Sequence, residues 1–106
     1  MTIQMATLAL NQTVTGVGSS SASNNPIRSF QATILGTGAV SATVGIYVSN
    51  APVPISTDWT FFGTITLSGT TSDSDILPCT VPYAHNRSDV SAISGTGAAV
   101  SVYMAS

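Results

Sequence analysis

One histidine, one cysteine, two arginines and four aspartates are what this 106-residue chain has for acid–base, nucleophilic or metal chemistry; lysine and glutamate are absent. A hydrolase of the Ser-His-Asp kind needs a base that titrates near neutrality, held beside a nucleophile and oriented by an acid. His85 is the sole candidate base. Asp89 lies four residues on, and in a strand the two side chains would share a face about 13 Å apart, too far for an orienting hydrogen bond. No G-x-S-x-G elbow accompanies them. Asp73-Ser74-Asp75 offers two carboxylates, whereas calcium takes roughly six to eight oxygen ligands, so these read as turn residues that bond their own backbone. Cys79, beside Pro78 and without a basic neighbour, reads as an inert, partly buried thiol. The glycine runs Gly16-Val17-Gly18 and Gly36-Thr37-Gly38 lack the P-loop lysine. The expectation is a protein that is not an enzyme, with no cofactor and no metal.

Arg87 carries more information, because charge is so scarce. Two residues from Asp89 on the same strand face, it is expected to pair locally with that carboxylate, or with one from a neighbouring subunit. Asn11-Gln12-Thr13 and Asn86-Arg87-Ser88 match the glycosylation acceptor pattern, which is common by chance.

The elements that would hold these residues are strands. From Arg28 to Leu35, apolar Phe30, Ala32 and Ile34 alternate with Ser29, Gln31 and Thr33, as a half-buried strand requires. After Gly36-Thr37-Gly38, whose glycines tolerate positive φ, Val44, Ile46 and Val48 resume the alternation, which predicts a hairpin. The segment Asn50 to Asp58 contains Pro52 and Pro54, which end the ladder and stiffen an exposed loop. Trp59 to Ser68 then places Trp59, Phe61, Gly63, Ile65 and Leu67 on one face and Thr60, Phe62, Thr64, Thr66 and Ser68 on the other. Phe62, on the polar face, is either covered by a loop or open to a partner. Thr70 to Asp75 reads as a turn, and Ile76 to Tyr83, with Pro78 and Pro82, as an edge strand or irregular crossing. Val90 to Ile93 and Ala98 to Met104 flank Gly95-Thr96-Gly97 as a second hairpin. Ala6 to Val14 can form a strand, and Gly16 to Asn25 is the longest Gly, Ser and Asn run, expected to be mobile.

The segment Ala32 to Ala39 matches Ser91 to Ala98 at a constant offset, with Ile, Gly, Thr, Gly and Ala identical. One turn is used twice. Two distant copies are too few for a solenoid but suit a closed antiparallel sandwich. Six to eight strands without a helical segment predict an all-β fold: a single antiparallel β-sandwich of jelly-roll or immunoglobulin-like type over 26–106, preceded by a strand or arm over 1–25. At this length about 65% of the unfolded surface is buried, around a core expected from Trp59, Phe30, Phe61, Ile34, Ile46, Ile65, Leu67 and Val100.

Composition excludes several functions. Two arginines cannot release counterions from several phosphates, so nucleic acid is not an expected partner. No apolar run approaches the roughly 20 residues that span a bilayer, and no membrane partner is expected. Met1 to Leu10 lacks the basic and apolar regions of a secretory signal. A single cysteine excludes an internal disulfide and suits a reducing compartment. Thirty-one residues are Ser or Thr and only six are charged, so the exterior is built of hydroxyls, amides and small apolar groups. Free monomers carry mixed charge and guard their sheet edges with it. A chain without that protection reads as a component of an assembly.

Gly36 to Val44, Ser49-Asn50, Trp59, Phe62 to Gly69 and the closing Val90 to Val100 resemble small β-sandwich structural proteins of tailed bacteriophages. The likeness covers residues 28 to 104. Here Ala51-Pro52 stands where such proteins often have an Asp-Gly turn, and Tyr83-Ala84-His85-Asn86-Arg87 separates the aromatic residue from the arginine. The resemblance implies a virion role, as a decoration (cement) protein that binds the outside of the head and clamps adjacent major capsid protein subunits. It implies assembly in the host bacterial cytoplasm, and self-association with trimers favoured over dimers. Met1 to Asn25 is then the candidate arm, and Asn50, Pro52, Pro54, Phe62 and Arg87 are candidate contacts with partners.

Two other functions fit parts of the chain. Ser49-Asn50, Trp59 and Phe62-Gly63 are also similar to the strand pair of galactose-binding-like jelly rolls, which implies a carbohydrate-binding module; the phase of Trp59 with Phe61, Ile65 and Leu67 argues for core instead. Thr60, Thr64 and Thr66 could form an ice- or crystal-binding ladder, a pattern that any Thr-rich strand produces.

Overall fold

The computed structural model describes residues 4–22 and 27–106. Eight strands form among them: β1 (Met5–Gln12), β2 (Gly16–Ala22), β3 (Arg28–Leu35), β4 (Val40–Ser49), β5 (Thr60–Gly69), β6 (Ser72–Cys79), β7 (His85–Ser94) and β8 (Ala99–Ala105). A single 3-10 turn, Ser56–Asp58, interrupts the loop between β4 and β5. The strands make two four-stranded sheets, ordered β1-β8-β3-β6 and β2-β7-β4-β5, with every pairing antiparallel. This order is that of a jelly roll, the first of the two sandwich types expected from the sequence.

In a jelly roll most connections pass from one sheet to the other, and both Gly-Thr-Gly turns do so. The hairpins expected at Gly36-Thr37-Gly38 and Gly95-Thr96-Gly97 are therefore arches between sheets: β3 pairs with β6 and β8, while β4 pairs with β5 and β7. Local alternation cannot separate a hairpin from an arch, because both need only two strands and a tight reversal. Among the described strands only β4 and β5 are both consecutive and paired.

Alternation does fix which side chains meet between the sheets. Phe30, Ile34, Ile46, Leu67 and Val100 are fully enclosed and Ile65 nearly so, as expected. Val44, Val90, Val102 and Leu8 complete the centre. Burying each such side chain stabilises the fold by about 1.5–3 kcal/mol before chain entropy is counted. β7 begins earlier than expected because its inward residues Asn86 and Ser88 are polar, yet neither is exposed. The burial of Asn86 also closes it to glycosylation.

The N-terminal segment is part of the sandwich. β1 adds to the edge of one sheet beside β8, and β2 adds to the edge of the other beside β7. Of the strand or arm with a Gly/Ser-rich run expected over 1–25, residues 5–12 and 16–22 are strands; Met1 to Ile3 and Ser23 to Pro26 lie outside the described residues. The small residues of β2 have a packing reason. A Cβ on Gly18 would stand 2.2 Å from the Leu8 carbonyl oxygen and 2.6 Å from Ser88 Oγ, so only glycine lets the two edge strands close together. Gln12 Nε2 holds the corner between them, donating to the carbonyls of Val14 (2.9 Å) and Gly16 (3.0 Å).

Candidate functional site

The site begins with an irregularity in one strand pair. Tyr47 stands opposite Phe61 but Ile46 stands opposite Gly63, so Phe62 is the extra residue of a β-bulge. A bulge reverses the facing of everything upstream of it. Phe61, expected in the core, is 56% exposed, and Trp59 is half-buried rather than central. Phe62 turns inward instead, with ring centroids 6.3 Å from Phe30 and 5.8 Å from Tyr83. The same reversal splits the threonine ladder: Thr64 and Thr66 keep the outer face, whereas Thr60 lies upstream of the bulge.

On the outer face of β4, β5 and β7 the displaced aromatics form a cluster around Arg87. Tyr47 meets Phe61 edge-on with centroids 5.6 Å apart. The Arg87 guanidinium carbon lies 4.5 Å from the centre of the Trp59 ring and 5.9 Å from that of Tyr47. The expected Arg87–Asp89 pairing does not form; the guanidinium covers Trp59, and among the described residues no ion pair joins it to Asp89. Gly45 makes room for the cluster, since its Cβ position is 3.1 Å from the Tyr47 ring and 3.8 Å from that of Phe61. Trp, Tyr and Arg in one patch are the residue types that dominate binding energy at protein interfaces.

Where the β4–β5 loop leaves the bulge, a cleft of about 360 Å³ opens, lined by Asn50, Asp58, Thr60, Phe61, Phe62 and Tyr83 among others. Each polar wall is held by backbone. Ala84 N–H donates to Asn50 Oδ1 at 2.9 Å, and Ile55 N–H donates to Asp58 Oδ2 at 2.9 Å. The aromatic wall is held from below. Arg28 is buried and its Nη1 donates to the Tyr83 carbonyl at 2.6 Å, fixing the segment that carries the Tyr83 ring against Phe62.

Of the residues expected to contact partners, Asn50 and Phe62 line this cleft, and Arg87 lies in the adjoining aromatic cluster. Pro52 is exposed and Pro54 half-buried in the loop beside them, where Val53 is 82% exposed. Asp58 closes the loop from Asn50 that the sequence offers as a contact, whereas Tyr47, Phe61 and Tyr83 escape sequence reasoning as site residues. The adjacent Phe61-Phe62 pair is the one signal that could have found them, since two consecutive aromatics cannot both suit strict alternation.

The other candidates have structural employment. Asp73 accepts from the backbone of Ser68 and Ser74, and Asp75 from that of Ile76, all within 2.9 Å. Both lie in β6 rather than in a turn. Cys79 is buried and its thiol donates to the Val81 carbonyl at 3.3 Å. Among the described residues no three His, Cys, Asp or Glu side chains come together as a metal site.

No family model matches the chain, and no curated protein matches it. Two solved structures are similar to the chain. SPBc2 prophage-derived protein YomS matches with a TM-score of 0.60 at 14% identity, over 98% of this chain and 91% of that one. A chain in the structure of infectious bursal disease virus Gx strain matches with a TM-score of 0.49 at 12% identity, over 98% of this chain and 31% of that one. At 14% identity the likeness to YomS is a likeness of fold, extending over nearly the whole of both chains.

Proposed function

We propose that this jelly roll is a structural protein of a tailed-phage virion: a decoration protein on the outer surface of the head that stabilises contacts between major capsid protein subunits. The observation that carries the reading is the exterior. The whole chain has six charged residues, all between Arg28 and Asp89, while Met5, Leu10, Val14, Val17, Leu35, Val53, Ile55, Phe61 and Ile76 are each more than half exposed. Exposed apolar surface on that scale, with so little charge to keep copies apart, suits a protein whose neighbours cover it. The prophage origin of YomS supports the phage assignment, and the sequence resemblance to phage β-sandwich proteins supports the decoration role.

In this reading the Arg87 cluster and the Pro52–Pro54 loop face the capsid or a second copy, and the protein associates with itself, as trimers in preference to dimers. Its partners are protein surfaces rather than nucleic acid or membrane, it performs no catalytic step, and it joins the head in the host cytoplasm. Adding purified protein to heads that lack it tests the role. Saturable binding that raises the temperature at which heads rupture is the expected result; heads that neither bind it nor change would remove the decoration reading.

A further inference from the structure

The geometry points to a saccharide site in the cleft between Asn50, Asp58 and the Phe61–Phe62 bulge, taking a neutral hexose or short oligosaccharide. This goes beyond the virion role and does not depend on it.

Three features of the cleft select the ligand class. The first is a donor and an acceptor, each held by a backbone N–H, lining one cleft. Because Ala84 N–H donates to Asn50 Oδ1, the other end of that amide is the Nδ2 group, with protons to give. Because Ile55 N–H occupies Asp58 Oδ2, the other carboxylate oxygen is left to accept. A sugar hydroxyl both gives and takes a hydrogen bond, so adjacent ring hydroxyls match such a pair, with the Thr60 hydroxyl able to do either.

The second feature is the aromatic wall of Phe61, Phe62 and Tyr83, which presents apolar ring surface to the C–H face of a pyranose. The third is charge. The cleft has one carboxylate and no lysine, arginine or histidine in its lining, which disfavours phosphates and acidic sugars. An organic cation would suit the carboxylate and the rings but would leave the Asn50 donor opposite nothing that accepts. The size, about 360 Å³, lies at the small end of the roughly 300–1,000 Å³ range of ligand sites and suits one or two sugar rings.

The test uses the full chain on an array of immobilised neutral oligosaccharides, followed by calorimetric titration with the best glycan, with galactose and with choline. Two near-isosteric variants separate binding from folding. Asn50→Asp keeps the oxygen that Ala84 needs and removes the donor; Asp58→Asn keeps the oxygen that Ile55 needs and removes the charge. Saccharide binding on the order of millimolar or tighter is expected, weakened about tenfold in each variant while the thermal melt is unchanged. Absence of glycan binding, affinities unmoved by both substitutions, or binding of choline without any sugar would each overturn the assignment. None of these outcomes depends on whether the chain joins a phage head.

Discussion

Thr37 gives both its backbone N–H (3.0 Å) and its hydroxyl (3.1 Å) to the carbonyl oxygen of Thr96, the equivalent residue of the other Gly-Thr-Gly turn. The two arches thus close one end of the sandwich on each other. In the sheets the likeness is partial: Leu35 stands opposite Ala99 whereas Ser94 stands opposite Ser41 rather than Val40, and only beyond the irregularity between Thr43 and Val44 do the registers agree, with Ser29 opposite Ala105 and Ser88 opposite Ile46. The arches are alike in sequence but not in backbone. Gly95 has φ +121 and Gly97 has φ +67, whereas Gly36 and Gly38 lie outside the left-handed region.

That difference makes glycines of the two arches unequal to substitution, although Gly95 corresponds in the repeat to Gly36, and Gly38 to Gly97. At Gly95 a Cβ would stand 2.6 Å from the Ala39 carbonyl oxygen, while at Gly38 nothing lies within 4 Å. Gly95→Ala should cost at least about 2 kcal/mol and Gly38→Ala should change stability by less than about 1 kcal/mol, as read by urea unfolding. Equal effects would contradict the asymmetry.

The bulge reverses the expected importance of two neighbouring rings. Phe62→Ala removes packing against Phe30 and Tyr83 and should cost about 2–3 kcal/mol. Phe61→Ala should cost less than about 1 kcal/mol, because that ring is largely exposed and meets chiefly Tyr47. The ordering of the two unfolding midpoints decides which ring faces inward.

Trp59 is the single tryptophan, so its fluorescence reports its surroundings without interference. Arg87→Ala uncovers one face of the ring and should move emission to longer wavelength, with a loss of about 0.5–1 kcal/mol. An Asp89→Asn control should leave the emission in place, since that carboxylate does not hold the guanidinium. A shift caused by Asp89→Asn would restore the local ion pair read from the sequence.

Ser88 is buried, and its hydroxyl oxygen has no hydrogen-bond partner among the described residues. Ser88→Ala removes a polar atom that is desolvated without compensation and should stabilise the protein by about 0.5–1 kcal/mol. A loss of stability would mean that an ordered water completes that hydroxyl.

Removing residues 1–25 should prevent cooperative folding, because it strips β1 from β8 and β2 from β7 and uncovers the core face that Leu8 closes. Circular dichroism and the dispersion of amide proton resonances check this. A well-folded fragment would return the segment to the role of a separable arm.

Most of the core was legible because Phe30, Ile34, Ile46, Ile65, Leu67 and Val100 obey alternation without interruption. The site was less legible for the same physical reason. It depends on one inserted residue, Phe62, which reverses Phe61 and Trp59, and on long-range contacts such as Arg28 with Tyr83 that no local pattern encodes. Strand partners were equally hidden: Gly-Thr-Gly states that the chain reverses, not which sheet it rejoins. Polar Asn86 and Ser88 concealed the start of β7 because burial there follows the register of β4 and not side-chain polarity.

The virion assignment is tested most directly by separating a lysate of phage-producing cells that carry the gene on a density gradient and locating the chain by mass spectrometry. It should band with the heads in a fixed ratio to the major capsid protein. Recovery only at the top of the gradient, as a monomer beside unlabelled heads, would contradict it.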